Sequence, residues 1–314
     1  MTLVDAPPAL RLEDLRGDPR RQRTEALVRR ALFGAAFVSV VVSALIVVSL
    51  VRESWTFVTE VDWGEQVFGS IGWFPRRDIY SISTLVVGSL LVTVVGMALA
   101  VPVGLAAAIY LSEYASKRVR RILKPTLEVL AGIPSVVIGF FTLTFIAPDI
   151  VQRLRPASPQ QTMFAAGLGV GLLIVPLVAS VSEDAMRSVP GSLREASYGM
   201  GAKKITTTLR VVLPAAVSGL TAAAIIAISR AIGETMVVFI AAGRSGGALF
   251  ETDPFEPGLT MTAAMASVAS GTDSVVGAGL TFQSLFFVGI LLFIVTMLLN
   301  IVADRFVRRV RQQY

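Results

Sequence analysis

The chain has 314 residues, with 28 Lys and Arg against 22 Asp and Glu for a net charge of +6, and it is 54% hydrophobic but only 16% charged. Soluble domains average about 25% charged residues, so an ordinary water-soluble fold is excluded. There is no His and no Cys. Disulfides, thiolate nucleophiles, imidazole bases and His or Cys metal sites are therefore ruled out, leaving carboxylates, Lys, Ser, Thr and Tyr.

The N-terminal tail, residues 1–30, mixes charges with Pro7, Pro8, Gly17 and Pro19 and reads as a mobile segment without a motif. Six runs then suit a membrane-spanning helix, which needs about 20 mostly apolar residues at a rise of about 1.5 Å each. They cover residues 31–51, 82–111, 122–147, 163–181, 211–242 and 282–303. The first follows a polar tail and precedes no small-residue cleavage site, so it reads as an anchor and not a removable leader. Pro102 with Gly104 in the second run, and Gly132, Pro134 and Gly139 in the third, predict kinks or close helix approach. Between the fifth and sixth runs, Gly246, Gly247, Pro254 and Pro257 break any long helix. There, residues 259–269 are apolar enough to rest on the outer membrane face or to fold back between helices.

The basic residues alternate along the chain. The N-terminal tail, the second and fourth loops and the C-terminal tail hold 21 of them, the other three loops hold six, and Arg230 lies inside the fifth run. That bias predicts that both termini and the second and fourth loops are cytoplasmic. The charge surplus is a topology signal, and no nucleic-acid partner is expected. The predicted organisation is a cytoplasmic tail over 1–30, a transmembrane domain over 31–303 with a prominent loop at 182–214, and a cytoplasmic tail over 304–314.

In the fourth loop, Ser192 and Glu195 have the spacing of a capping box, which predicts the start of a short helix. Gly199 and Gly201 would end that helix and allow a sharp turn. On spacing alone this is either a well-capped connection or a rigid knob that inserts into another protein. The order Glu195-Ala196-Ser197, then Gly201, then Val211-Val212-Leu213-Pro214 resembles the EAA motif of permease subunits of bacterial ABC importers. It departs at Ser197, where the pattern has Ala, and at Val211, where it has Ile. The resemblance implies a coupling helix that docks into a cytoplasmic ATPase, with Ser192, Glu195, Ala196, Gly201, Leu213 and Pro214 in the coupling loop. The chain has no Gly-x-x-x-x-Gly-Lys-Ser/Thr phosphate loop, so the ATPase, with its ATP and Mg, is expected to be a separate polypeptide. No cofactor, metal or covalent chemistry is expected in this chain.

Arg230 and Glu234 lie near the middle of the fifth run. An Arg at the bilayer centre costs about 2.5–3.5 kcal/mol on insertion scales, so it should face protein or water. Four residues apart, the two side chains are expected to share one helix face and pair. They form either an ion pair locking helices together or a site on a polar path. On such a path the Arg fork can offer two hydrogen bonds to a tetrahedral oxyanion, with Glu234 as counter-charge. The stretch from Ser229 to Met236, together with Glu128 to Ser135, resembles the permeases of the phosphate-specific ABC importer. Gly233-Glu234-Thr235-Met236 is similar to the C-type chain of that system.

This resemblance implies an all-α, polytopic inner-membrane protein with six transmembrane helices in the type I ABC importer permease fold. It further implies a heterodimer with an A-type permease chain, two ATPase copies, and an external binding protein that delivers phosphate. Arg230, Glu234, Thr235 and Glu128 would line the substrate pathway. On the residues alone, Glu128 lies within about two helical turns of the cytoplasmic boundary and equally suits a contact with headgroup water or a partner helix. The rival readings are a permease for another oxyanion such as sulfate or molybdate, which leaves the loop motif unchanged, and a membrane sensor or scaffold. A secondary transporter or channel using the Arg230/Glu234 pair is a further rival, but it leaves the loop motif unexplained. A membrane enzyme is disfavoured by the absence of His and Cys.

Overall fold

The computed structural model describes residues 19–68, 71–243, 246–270 and 280–310. Expectations placed on residues 1–18, on Arg244 and on residues 311–314 lie outside the described residues. The chain divides into two compact units, Met1–Leu50 and Val51–Tyr314. Helix α1 (Pro19–Glu60) supplies the described part of the first unit, and its last turns belong to the second.

In the second unit a small hairpin pairs β1 (Trp73–Phe74) with β2 (Ile79–Tyr80), antiparallel, with Trp73 opposite Tyr80. Asp78 closes the turn at φ 55° and accepts a 2.9 Å hydrogen bond from the Tyr80 hydroxyl. Helix α2 (Ile82–Ile109) follows, then α3 (Lys117–Ala131), α4 (Ser135–Phe141), which continues in π-helical turns into α5 (Gln152–Leu154), and α6 (Met163–Arg187). Next come α7 (Gly191–Gly199), α8 (Lys204–Thr207), α9 (Leu213–Ala215), α10 (Val217–Gly233), α11 (Met236–Ala241), α12 (Met261–Ala269) and α13 (Thr281–Val310). Several starts follow from a hydroxyl that satisfies an orphan amide. Ser116 accepts from Val119 N–H, Thr162 from Ala165 N–H and Thr260 from Ala263 N–H.

Among the described residues five helical stretches are long and apolar enough to cross a membrane: Thr24–Glu60, Ile82–Tyr114, Ser135–Leu154, Met163–Arg187 and Thr281–Val302. A sixth is formed by Lys204–Ala215 and Val217–Gly233, bent by 71° at their junction. Six spans were expected, but three differ from the sequence reading. The first, expected over 31–51 after a mobile tail, lies in a helix that already begins at Pro19 and runs to Glu60. The third, expected over 122–147, begins only at Ser135. Its expected first part belongs to α3, which carries Lys117, Arg118, Arg120, Arg121, Lys124 and Glu128 and buries none of its residues. So many charges cannot cross hydrocarbon cheaply, and Gly132, Ile133 and Pro134 separate this amphipathic helix from the span proper. The fifth is broken twice, by the bend near Ala216 and again at Glu234 and Thr235. The second runs through Pro102 as one helix, and the close approach expected there is made at Gly104, where a Cβ would lie 2.7 Å from Val178 Cβ of α6.

The core of this unit is the α2–α6 pair, and glycine makes it tight. A Cβ on Gly171 would lie 2.7 Å from the Gly96 carbonyl oxygen, and one on Gly167 would lie 2.6 Å from Val95 Cβ. Gly167 and Gly171, one turn apart, thus let α6 approach α2 as small-xxx-small pairs do in membranes. Two buried hydroxyls of α2 are satisfied inside that helix, Ser89 by the Leu85 carbonyl and Thr93 by the Ser89 carbonyl. The apolar stretch 259–269 folds back between helices. Leu259, Met261, Ala263 and Ala264 are buried, and Ser89 Oγ accepts a hydrogen bond from Met261 N–H at 3.0 Å.

Candidate functional site

Two regions carry the residues singled out from the sequence. The first is α7, which stands at the end of the bundle where α2 and α6 finish. The expected capping box is not formed. Pro190 occupies the N-cap, no side chain caps the helix, and Ser192 lies inside its first turn. The proline's fixed backbone sets the N-cap two residues before Ser192, so the serine cannot act as the cap. The other terminus follows expectation: the helix stops at Gly199, and Gly201 takes φ 77°, a left-handed conformation that suits glycine.

What fixes α7 is Arg194. Its Nη1 donates to the Val189 carbonyl at 2.7 Å, and its Nη2 donates to the Met186 carbonyl at 2.8 Å and to Glu113 Oε1 at 2.9 Å. The Glu113 side chain is only 4% exposed and that of Arg194 19%, so this ion pair works in a partly desolvated setting. Leu193 and Leu213 pack on a separate apolar cluster of Ala108, Met186, Val189, Val212 and Ala216. Ser197 Oγ and Thr207 Oγ1 share a 2.8 Å hydrogen bond, and Lys204 Nζ sits 4.9 Å from the centre of the Tyr114 ring. Ser192, Glu195, Ala196 and Pro214 are exposed, as is Met200 at 88%. The loop is therefore a knob held from behind by one arginine and an apolar seat, with an exposed outward face.

The second region is the break between α10 and α11. Helix α10 ends at Gly233, and Glu234 leaves it in an extended conformation, φ −68° and ψ 129°. Arg230, in the last turn, is exposed, while Glu234 turns to the next helix. Glu234 Oε1 accepts from the N–H groups of Thr235, Met236 and Val237 at 3.2, 3.2 and 3.4 Å. It acts as an anionic cap on the start of α11. The expected Arg230–Glu234 pair is thus not made: the helix stops between the two residues, and no ion pair joins them among the described residues. Thr235, half-buried, donates to the Gly233 carbonyl at 3.3 Å, and Thr262 Oγ1 donates to the Glu234 carbonyl at 2.7 Å. The folded-back α12 is thereby tied to the break.

Glu128 is not brought to this break. It is exposed on α3 and lines a cavity of about 470 Å³ walled by the end of α2, α3 and the end of α6. Beside that cavity the structure reveals a charge cluster that the sequence reading missed. Glu183, near the end of α6, has a fully buried side chain. Lys124 Nζ donates to its Oε2 at 2.8 Å, and Arg120 Nη2 lies 2.7 Å from its Oε1. The latter contact is ionic and not a well-aligned hydrogen bond, since Oε1 has no donor among the described residues. Lys124 also binds Asp184. Burial pulls the Lys124 ammonium down, but hydrogen bonds to Asp184 and Glu183 and their charges outweigh it and hold it above the ordinary lysine value. The one available signal was the adjacent Glu183-Asp184 pair at the end of an apolar run, three and four residues before Arg187.

The comparisons with known proteins agree with this architecture. Residues 100–312 match the model of a family described as "Binding-protein-dependent transport system inner membrane component". The chain is 30% identical over 245 residues to the probable ABC transporter permease protein YqgH of Bacillus subtilis, covering 77% of this chain and 78% of that one. It is 28% identical over 305 residues to the phosphate transport system permease protein PstC of Mesorhizobium japonicum, covering 91% of each. In fold it resembles a chain in the crystal structure of a bacterial ABC transporter involved in alginate import, with a TM-score of 0.62 at 15% identity, over 93% of this chain and 100% of that one. The spans and these likenesses together make it an all-α, polytopic permease of the ABC importer fold. The chain belongs to the binding-protein-dependent transport system inner membrane components.

Proposed function

We propose that this chain is the C-type permease subunit of an ATP-driven phosphate importer and forms half of the translocation pathway. The observation that carries the substrate is the likeness to PstC of Mesorhizobium japonicum, which extends over 91% of both chains. The partner permease is an A-type chain, two ATPase copies hold ATP and Mg, and an external binding protein delivers phosphate. Residues 31–303 form the transmembrane domain, both termini and the 182–214 loop face the cytoplasm, and the 21-to-6 distribution of basic residues supports that orientation. The ATPase docks on the exposed face of α7, at Ser192, Glu195 and Ala196, and Arg194 with the apolar seat passes its motion to α2 and α6.

Arg230 contacts the anion during passage. Its guanidinium is exposed and pairs with no carboxylate among the described residues, and its planar fork suits a tetrahedral oxyanion. Glu234 serves that site indirectly, by capping α11 and fixing the break beside Arg230 and Thr235. Glu128 stands apart, at the cytoplasmic end of the pathway. The test is ATP-dependent uptake of labelled phosphate in vesicles holding the full complex and binding protein, with sulfate as competitor, comparing native with Arg230→Gln. The reading expects uptake that sulfate does not compete away, abolished by Arg230→Gln while the complex still assembles and hydrolyses ATP. Sulfate or molybdate uptake in place of phosphate would overturn the substrate, and native-level uptake in Arg230→Gln would overturn the role of Arg230.

A further inference from the structure

The cavity between α2, α3 and α6 holds more positive charge than its own carboxylates neutralise. Five cationic side chains line it, Lys117, Arg120, Arg121, Lys124 and Arg187, with Glu128 the one acidic lining residue. Glu183 and Asp184 lie behind Arg120 and Lys124 and hold them in place. Even with all three carboxylates counted, two positive charges remain. Lys117 and Arg121 pair with no carboxylate among the described residues, and both are exposed. Arg120 Nε and Glu183 Oε1 are both buried without a hydrogen-bond partner among the described residues, although their two side chains are paired at 2.7 Å.

We propose that this cavity is a cytoplasmic binding site for a phosphate-bearing anion, held by Lys117, Arg121 and Arg187. Buried Glu183 is the device that builds the site. By pairing with Arg120 and Lys124, and lying 3.8 Å from Arg187 Nε, it fixes three cations beside the opening without occupying it. The volume of about 470 Å³ lies in the range of small-ligand pockets. Two sources share the chemistry, the headgroup of an anionic phospholipid and inorganic phosphate. Helix α3 suits a lipid surface. Ile122 and Val129, 68% and 73% exposed, sit on the same helix as the basic residues, as in helices that lie in the membrane interface. The inference rests on the cytoplasmic orientation but not on the identity of the transported solute.

The test uses the assembled complex in phosphatidylcholine nanodiscs, either containing a photoactivatable phosphatidylglycerol or free of anionic lipid and given labelled inorganic phosphate. The comparison is with the double variant Lys117→Gln/Arg121→Gln. If the source is lipid, photolabel maps to residues 111–128 and falls at least tenfold in the variant. If the source is soluble, phosphate binding in anionic-lipid-free discs falls at least tenfold in the variant while the lipid label does not change. Either result supports the site, and lipid labelling and phosphate binding that are both the same in native and variant complexes would overturn it. Should the variant fail to assemble, the native complex decides through amine-reactive labelling of Lys117. Protection by phosphatidylglycerol or by phosphate supports the site, and protection by neither overturns it.

Discussion

Arg194 on α7 reaches Glu113, in the π-helical turn that extends α2, across 2.9 Å, and through the same guanidinium holds the carbonyls of Met186 in α6 and of Val189 just after it. One side chain thus joins an exposed knob to the two helices that form the centre of the bundle. Because Glu113 is nearly buried, Glu113→Gln leaves a charged arginine with a weaker acceptor. The expected cost is about 1.5–3 kcal/mol, the range for hydrogen bonds to charged groups, read as a lower melting temperature of the purified complex. An unchanged melting temperature would mean that the pair is solvated and holds nothing.

Glu183→Ala removes the buried carboxylate and strands Arg120 and Lys124 on their partly buried side. Breaking one side of a buried ion pair costs about 3–5 kcal/mol. The variant is expected to unfold at clearly lower denaturant than Asp184→Ala, since Asp184 is 63% exposed. Equal midpoints for the two variants would refute a special role for Glu183.

The glycine contact between α2 and α6 gives a size test. Gly171→Ala forces a methyl group to within 2.7 Å of the Gly96 carbonyl oxygen and should cost about 1–3 kcal/mol by overpacking. Gly191→Ala is the control, because nothing lies within 4 Å of its added Cβ. Melting curves of the two variants are expected to separate, with the control close to native.

Tyr80 links the hairpin to alkaline stability. Its phenol is raised above its ordinary value by burial first, then by the hydrogen bond to Asp78 and by the Asp78 charge. A raised folded-state value means that the native state holds its proton longer than the unfolded state. Stability is therefore fully present below the ordinary tyrosine value of about 10 and falls as pH rises from there toward the folded value. Tyr80→Phe should be less stable at neutral pH, by about 1 kcal/mol for the lost hydrogen bond, but should show a shallower alkaline decline. Parallel pH curves for native and variant would contradict this.

The absence of cysteine permits a direct test of where the ATPase sits. Ser192→Cys introduces a single thiol on the exposed face of α7. A short bifunctional thiol reagent is expected to join it to a cysteine placed in the ATPase groove. A cysteine at Arg76, in the hairpin turn before α2, should give no such product. Crosslinking from both positions, or from neither, would remove α7 as the docking element.

Much of this was legible in the sequence because the physics is one-dimensional there. A run of 20 apolar residues has few options but a spanning helix, and six such runs fixed the class. The loop motif pointed to α7, and Gly201 was read correctly as the position of the turn. The errors arose where the outcome depended on more than one segment. Hydropathy alone placed residues 122–134 in the third span, whereas Gly132 to Pro134 and the charges of α3 move its start to Ser135. Spacing paired Arg230 with Glu234 on the assumption of an unbroken helix. The carboxylate is instead taken by the amides of α11, and Thr262, 28 residues on, holds the break open. Glu183 could not be read as buried until Arg120 and Lys124, about 60 residues earlier in the chain, were seen to fold over it.

The central claim is that ATP-driven phosphate uptake passes through this chain and is transmitted by the α7 knob. The most direct test measures labelled phosphate taken up per ATP hydrolysed in vesicles containing the full complex, native against Arg194→Lys. Lysine keeps the charge but cannot span Glu113 and both carbonyls from one planar fork. The expected result is at least a tenfold fall in phosphate moved per ATP while hydrolysis continues. Native-level uptake per ATP in the variant would contradict transmission through α7, and no phosphate uptake in the native complex would contradict the function itself.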